Sequence, residues 1–340
     1  MSDMNDATQA SAAALRILVS ERLRAAEGER IRACASPAPE LLTVDDVEQR
    51  GAQFDIAFVS RDVTGLSTKH ETQPETARFY AAMQGSRSLR WVHIHSAGAD
   101  RPIYLDLLAR GVTLTSSAGT NAEVVAQSAV TGLLMLGRRF PELIAAQQRR
   151  QWAPLIDRPP LPCDIHGQTA TIVGWGGIGQ AIARIMQAIG LHIQVVRSSA
   201  APTDNGLPSH AFEDIAQVLP TTDWLILACP LSPRTHQLIH RERLALLPAG
   251  ARLINVSRGD VVDEPALIDA LTHSRLAGAY LDVFAHEPLA ADSPLWTLPN
   301  VIATPHSAGF AAGNAARVVQ MFMDNLARYA TNSALVNVVR

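Results

Sequence analysis

Lysine is nearly missing from this chain: Lys69 is the only one, and the remaining basic residues are arginines. None of Tyr80, Tyr104, Tyr280 and Tyr329 is followed four positions later by a lysine, so a Tyr-x-x-x-Lys proton-transfer pair is excluded. Cysteine is scarce too. Cys34, Cys163 and Cys229 lie far apart and form no CxxC, so neither a disulfide framework nor a zinc site is expected. No metal is assigned, and a reducing, cytoplasmic setting fits. A net charge of −3 supplies no basic field for nucleic acid or an anionic membrane. The arginine pairs Arg138-Arg139 and Arg149-Arg150 read as solvated helix ends. No apolar run approaches the roughly 18 residues that a membrane span needs. The amino-terminal stretch carries Asp3 and Asp6 where a secretory leader would be basic, and Arg16 breaks its apolar run. It is not read as a signal peptide, and residues 1 to 14 are expected to fray.

What is present is ample core material. Apolar residues make up 47% of the 340 residues and charged ones 18%, which predicts ordered structure in two domains. In the first third, Leu15–Ser20, Phe54–Val59, Leu89–His93 and Val112–Thr115 read as strands separated by helices or loops. That alternation predicts a parallel sheet with crossovers. A long helix is expected over Glu123–Arg138, capped by Thr120 or Asn121, followed by a proline-rich surface connector over Arg149–Cys163. Further on come short apolar runs at Ala170–Val173, Ile193–Val196, Trp224–Cys229, Arg252–Val256, Leu276–Val283 and Val301–Thr304. Most are continuous, as strands buried on both faces of a parallel sheet should be. Helices are expected between them, at Gly179–Ile189 and Glu264–Ser274 among others. The final helix, Gly313–Tyr329, has nothing to cover in this second half and is expected to cross back to the first.

Gly174-Trp175-Gly176-Gly177-Ile178-Gly179 matches G-x-G-x-x-G directly after a strand and at the start of a helix. That is the context a dinucleotide site requires. Gly174 permits the tight turn, Gly176 admits a pyrophosphate close to the backbone, and Gly179 lets helix and strand pack. Gly177 and Ile178 open the helix whose free N–H groups would meet the phosphates. At the end of the next strand, where an acidic residue would bind the adenosine ribose, stand Arg197, Ser198 and Ser199. A guanidinium with neighbouring hydroxyls suits a 2′-phosphate, so NADP is expected to be preferred, with NAD also usable.

Three downstream strand ends supply acid/base chemistry. Arg258 follows Asn255-Val256-Ser257 at the end of an apolar strand, where ligands bind in open α/β sheets. A buried arginine there needs an anion. Glu287 lies just past the strand ending near Asp282, and His306 just past the last strand. A carboxylate beside an imidazole favours the protonated ring and fixes its orientation. Together they suit hydride transfer at C2 of a small 2-keto or 2-hydroxy acid: Arg258 would hold the carboxylate and polarise the ketone, and His306 would exchange the proton. His286 is read as an exposed loop residue without a role.

The block INVSRGDVVDEPALIDAL…LAGAYLDVFAHEPL…DSPLWTLPNVIATPHSAG resembles the signature region of the D-isomer-specific 2-hydroxyacid dehydrogenase family. GWGGIGQAIAR, and Cys229-Pro230 with Thr235, are similar to the family's cofactor motifs. The likeness runs from about residue 89 to 330. It implies Arg258, Glu287 and His306 as the catalytic trio and Asp282 beside the nicotinamide carboxamide. Val256, Ser257 and Ala308 complete the expected cofactor contacts. It also implies that the amides of the Ser96-Ala97-Gly98 loop grip the substrate carboxylate. The implied fold is α/β, with two doubly wound parallel-sheet domains. A Rossmann cofactor domain (residues 119–308) is inserted in a flavodoxin-like substrate domain (residues 1–118 and 309–340). A homodimer is implied as well. Trp152 resembles an aromatic that in some reductases of the family reaches the partner's active site, though packing within the chain is its expected use. Arg197 departs from the common acidic residue, which brings the chain nearer to NADP-dependent glyoxylate/hydroxypyruvate reductases. Two other readings stay open: an NAD(H)-binding corepressor-like scaffold, which retains the trio, and a formate dehydrogenase-like enzyme. Glu287 argues against the latter, because that group has Gln there.

Overall fold

Strand β1 (Arg16–Leu18) is the hub of a five-stranded sheet. It pairs with β2 (Glu40–Leu42) on one side and β3 (Ile56–Val59) on the other, and β4 (Trp91–Ile94) and β5 (Thr113–Ser116) continue the row. The order is β2-β1-β3-β4-β5 and every pairing is parallel, the flavodoxin-like arrangement. Because helices cover both faces, β3 and β4 are buried at every position. The computed structural model describes residues 13–339; the expected fraying and the leader reading fall largely outside that range.

The second sheet holds seven strands: β6 (Thr169–Val173), β7 (His192–Arg197), β8 (Ser209–Ala211), β9 (Trp224–Leu227), β10 (Arg252–Asn255), β11 (Gly278–Leu281) and β12 (Val301–Ala303). Their order is β12-β11-β10-β9-β6-β7-β8, again parallel throughout. The chain runs outward from β6 in both directions, so the switch point lies between β6 and β9.

The chain divides into two compact units, one made of the residues up to Thr120 with those from Gly313 on, the other Asn121–Ala312. Expected boundaries at 118/119 and 308/309 fall a few residues early. The loop after His306 stays with the second unit because Asp282 accepts from the amides of Ser307 and Ala308. The last helix, Asn314–Ala330, belongs to the first unit. Phe322 is fully buried there, stacked on Phe58 at 4.3 Å and on Trp91 at 5.6 Å.

Several local expectations change. β2 and β8 were not anticipated: each is three residues long, and β8, an edge strand of Ser-His-Ala, has no apolar signature. A helix at Phe140–Gln148 was also missed. Asn121 occupies the N-cap of the helix Ala122–Gly137 but makes no capping bond; it packs against Gly309, and Thr120 donates to Ser117 O instead. Arg139 is no mere solvated helix end. Its guanidinium pairs with Glu142 and donates to the carbonyls of Arg158 and Pro160, pinning the proline-rich connector. Trp152 does not pack within the chain: it is 96% exposed.

Candidate active site

Parallel register sets the site. Leu227 of β9 pairs with Asn255 of β10, Asn255 with Leu281 of β11, and Leu281 with Ala303 of β12. Four strands therefore end in line, and the loops beyond them emerge along one edge. Arg258 leaves the β10 end, Asp282 and Glu287 the β11 end, and His306 the β12 end. Val173 of β6 pairs with Leu227, which puts the glycine-rich turn on the same edge.

At that turn Gly174 has φ +103°, and a Cβ on it would lie 2.6 Å from the Cys229 backbone. Gly179 approaches the Gly174 carbonyl so closely that a Cβ there would meet its oxygen at 2.1 Å. Gly176 is different. It N-caps the helix Gly177–Ala188 without any side-chain cap, and nothing lies within 4 Å of where its Cβ would be. An uncapped helix start behind an open glycine fits a pyrophosphate. Cys229 is buried, and burial pushes its thiol up to about 12, so its backbone is what it offers the groove. Thr235 is buried as well: it accepts from Ser232 N at 2.8 Å and donates to Pro230 O at 2.7 Å, which stiffens the β9 loop. Arg197 ends β7 and turns onto its own loop, donating to Ala201 O and Pro202 O.

His306 Nδ1 lies 2.8 Å from Glu287 Oε2. The backbone of His306 sits in the left-handed region at φ 49°, which is strained for a residue with a Cβ and recurs at functional sites. Four bonds to Asp282 hold the loop there: the His306 amide donates to Asp282 O, and Asp282's carboxylate collects Thr304 Oγ1 at 2.6 Å, Ser307 N at 2.7 Å and Ala308 N at 3.0 Å. Burial raises the Asp282 carboxyl despite those donors. Glu287 shows the opposite balance. Burial would raise its carboxyl, but the hydrogen bond and charge of His306, the Phe284 N–H and the charge of Arg258 together hold it below the usual range. Arg258, half-buried, donates through Nη1 to Ser257 O.

Asp282, expected beside a nicotinamide carboxamide, thus also braces the loop that carries His306. His286 is exposed. Ser96, Ala97 and Gly98 follow β4 in the first unit, where Ser96 Oγ donates to Gly98 O and Ser96 O accepts from Ser117 N. Val256 and Ser257 are buried under the β10 loop. Sequence reasoning missed Asn255, whose side chain accepts from Ser257 N and Oγ and donates to Arg258 O, shaping the arginine's turn. The signal was available as a lone amide at the end of an apolar strand. Glu264 was missed too; it accepts from Ala285 N and tethers the Glu287 loop. Gly259 was the third, seated on the backbone of Phe284 and Ala285. Among the described residues no group of three or more His, Cys, Asp or Glu could hold a metal, and no helix is long and apolar enough to cross a membrane.

A profile of the "D-isomer specific 2-hydroxyacid dehydrogenase, NAD binding domain" matches residues 130–308, more than half of the chain. The chain belongs to the D-isomer-specific 2-hydroxyacid dehydrogenase family. This 2-hydroxyacid dehydrogenase is an oxidoreductase built on a nicotinamide-binding domain. It is similar to the glyoxylate/hydroxypyruvate reductase B of Pectobacterium carotovorum subsp. carotovorum (strain PC1), 36% identical over 66% of this chain and 70% of the relative. It is likewise similar to the glyoxylate reductase of Korarchaeum cryptofilum, 31% identical over 79% of this chain and 80% of the relative. Among solved structures it resembles the D-isomer specific 2-hydroxyacid dehydrogenase of Xanthobacter autotrophicus Py2 in complex with NADPH and MES. That match is 26% identical, covers 97% of this chain and 98% of the other, and has a TM-score of 0.74.

Proposed function

We propose that this dehydrogenase reduces glyoxylate or hydroxypyruvate to the corresponding (D)-2-hydroxy acid, using NADPH in preference to NADH. The observation that carries the reading is the His306–Glu287 pair, with Arg258 within electrostatic reach of the same carboxylate. The bound nicotinamide supplies the hydride to C2. Arg258 holds the substrate carboxylate and draws charge onto the keto oxygen. Glu287 engages Nδ1, so His306 delivers its proton from Nε2, the nitrogen that makes no hydrogen bond among the described residues. That proton goes to the developing alkoxide, and in the reverse direction His306 takes it from the hydroxyl. Gly174, Gly176, Gly177, Ile178 and Gly179 would hold the pyrophosphate. The amides of Ala97 and Gly98, neither of which makes a hydrogen bond among the described residues, are proposed as further donors to a substrate carboxylate.

The NADPH preference is supported by Arg197, Ser198 and Ser199, with no carboxylate at the end of β7. The homodimer and the cytoplasm belong to the same proposal. Phe140, Ile144, Trp152, Ile156 and Leu161 are all exposed within one stretch of the second unit, a concentration of apolar surface that points to a partner, and a second copy is the partner proposed. The three unpaired cysteines suit a reducing compartment. Steady-state rates over a panel of 2-keto acids with both cofactors test the reading. Turnover of glyoxylate or hydroxypyruvate with NADPH is expected. No turnover across the panel would overturn it in favour of a cofactor-binding scaffold.

A further inference from the structure

Arg234 stands in the loop after β9, and its guanidinium reaches across to the turn that follows β7. Nη2 donates to Ser198 O at 3.4 Å. The side chain is fixed from two other directions. Nε and Nη2 both donate to Glu213, at 3.1, 2.8 and 3.0 Å, and Cζ lies 5.4 Å from the centre of the Phe212 ring. The loop beneath it is rigid as well, because the neighbouring Thr235 is buried and bonded within that loop. Nη1 of Arg234 makes no hydrogen bond among the described residues.

Arg197 leads into the same turn, bonded through Nη2 to Ala201 O and Pro202 O, with a buried Nε that has no partner. The turn at Ser198 and Ser199 thus follows one arginine in sequence and is bonded by the other, and each guanidinium has N–H groups unspent. An exposed Arg–Glu pair contributes little to stability, and the Phe212 stack does not require a cation. A planar donor held in place beside hydroxyls is, by contrast, what recognises a phosphate.

We propose that Arg234 is a second specificity-determining residue for the cofactor, closing with Arg197 on a 2′-phosphate seated at the Ser198–Ser199 turn. Glu213 and Phe212 are its positioning residues: they hold the guanidinium in reach and leave Nη1 to donate. The inference rests on the NADPH reading above, and it assigns to a different strand's loop part of a discrimination otherwise ascribed to Arg197 alone.

Binding of NADPH, NADH, adenosine 2′-monophosphate and adenosine 5′-monophosphate to the full chain and to Arg234→Ala, Arg234→Lys and Arg197→Ala, measured by calorimetry, tests it. Arg234→Ala is expected to weaken NADPH and adenosine 2′-monophosphate about tenfold while leaving NADH and adenosine 5′-monophosphate within about twofold. Arg234→Lys should recover part of the loss, since it keeps the charge without the planar fork. If the unaltered protein favours NADPH and Arg234→Ala leaves that preference intact, or weakens all four ligands equally, the role of Arg234 is refuted while the cofactor reading stands. If the unaltered protein binds NADH as well as NADPH, both fall.

Discussion

His306 Nδ1 and Glu287 Oε2 lie 2.8 Å apart, although the two residues leave different strands and the His306 backbone is held at φ 49°. A strained backbone persists only where its surroundings over-determine it. Here the determinant is Asp282, whose main-chain and side-chain oxygens take the amides of His306, Ser307 and Ala308.

Replacing Asp282 should therefore damage catalysis without unfolding the sheet. Oδ1 of Asp282 accepts from Thr304 Oγ1 and Ser307 N and Oδ2 from Ala308 N, so whichever oxygen Asp282→Asn replaces, its amide NH2 faces at least one backbone donor. The loop carrying His306 would shift, and a displacement on the order of 1 Å costs roughly 100-fold in rate. A fall in kcat of about 10- to 100-fold, with a thermal midpoint near that of the unaltered protein, is expected in parallel kinetics and melts.

Gly259 marks the tightest crossing in the site. A Cβ on it would lie 1.8 Å from the Phe284 carbonyl carbon and 2.2 Å from Ala285 N, both main-chain atoms that no rotamer change can clear. Gly259→Ala should cost about 3 kcal/mol and push apart the turns bearing Arg258 and Glu287. Urea titration would record the lost stability, and residual kcat the disturbed site.

Acid should destabilise the first unit through His93. The ring is fully buried, bonded to Thr115 Oγ1 and Ser117 Oγ, and burial, reinforced by the neighbouring His95, drives its pKa from 6.5 down to about 3. The folded state thus keeps this ring neutral while the unfolded chain binds a proton below pH 6.5. Stability is full above that value and declines as pH falls toward 3, by at most about 1.4 kcal/mol per pH unit. His93→Gln should be less stable at pH 7 but show a shallower loss between pH 6 and 4 in denaturant titrations.

How far the sequence reached follows from which signals are local. Buried parallel strands are unbroken apolar runs, so β6, β9, β10 and β11 could be read within a residue or two. The glycine turn was legible because backbone geometry demands glycine there. β2 and β8 were not legible, since a three-residue edge strand carries almost no periodicity. Arg258, Glu287 and His306 could be named as chemistry at strand ends, but their supports could not. Asn255 and Glu264 act through contacts made only once β10, β11 and their loops align. Arg234 was hidden for the same reason: its neighbours, Glu213 and Ser198, are distant along the chain and meet only in the folded sheet.

The most direct test is the single-turnover rate of glyoxylate or hydroxypyruvate reduction by His306→Ala with saturating NADPH. A loss of about 10²- to 10⁴-fold is expected, with NADPH binding retained. A purified, folded variant that reduces the substrate at the normal rate would contradict the assignment of His306 as the proton donor.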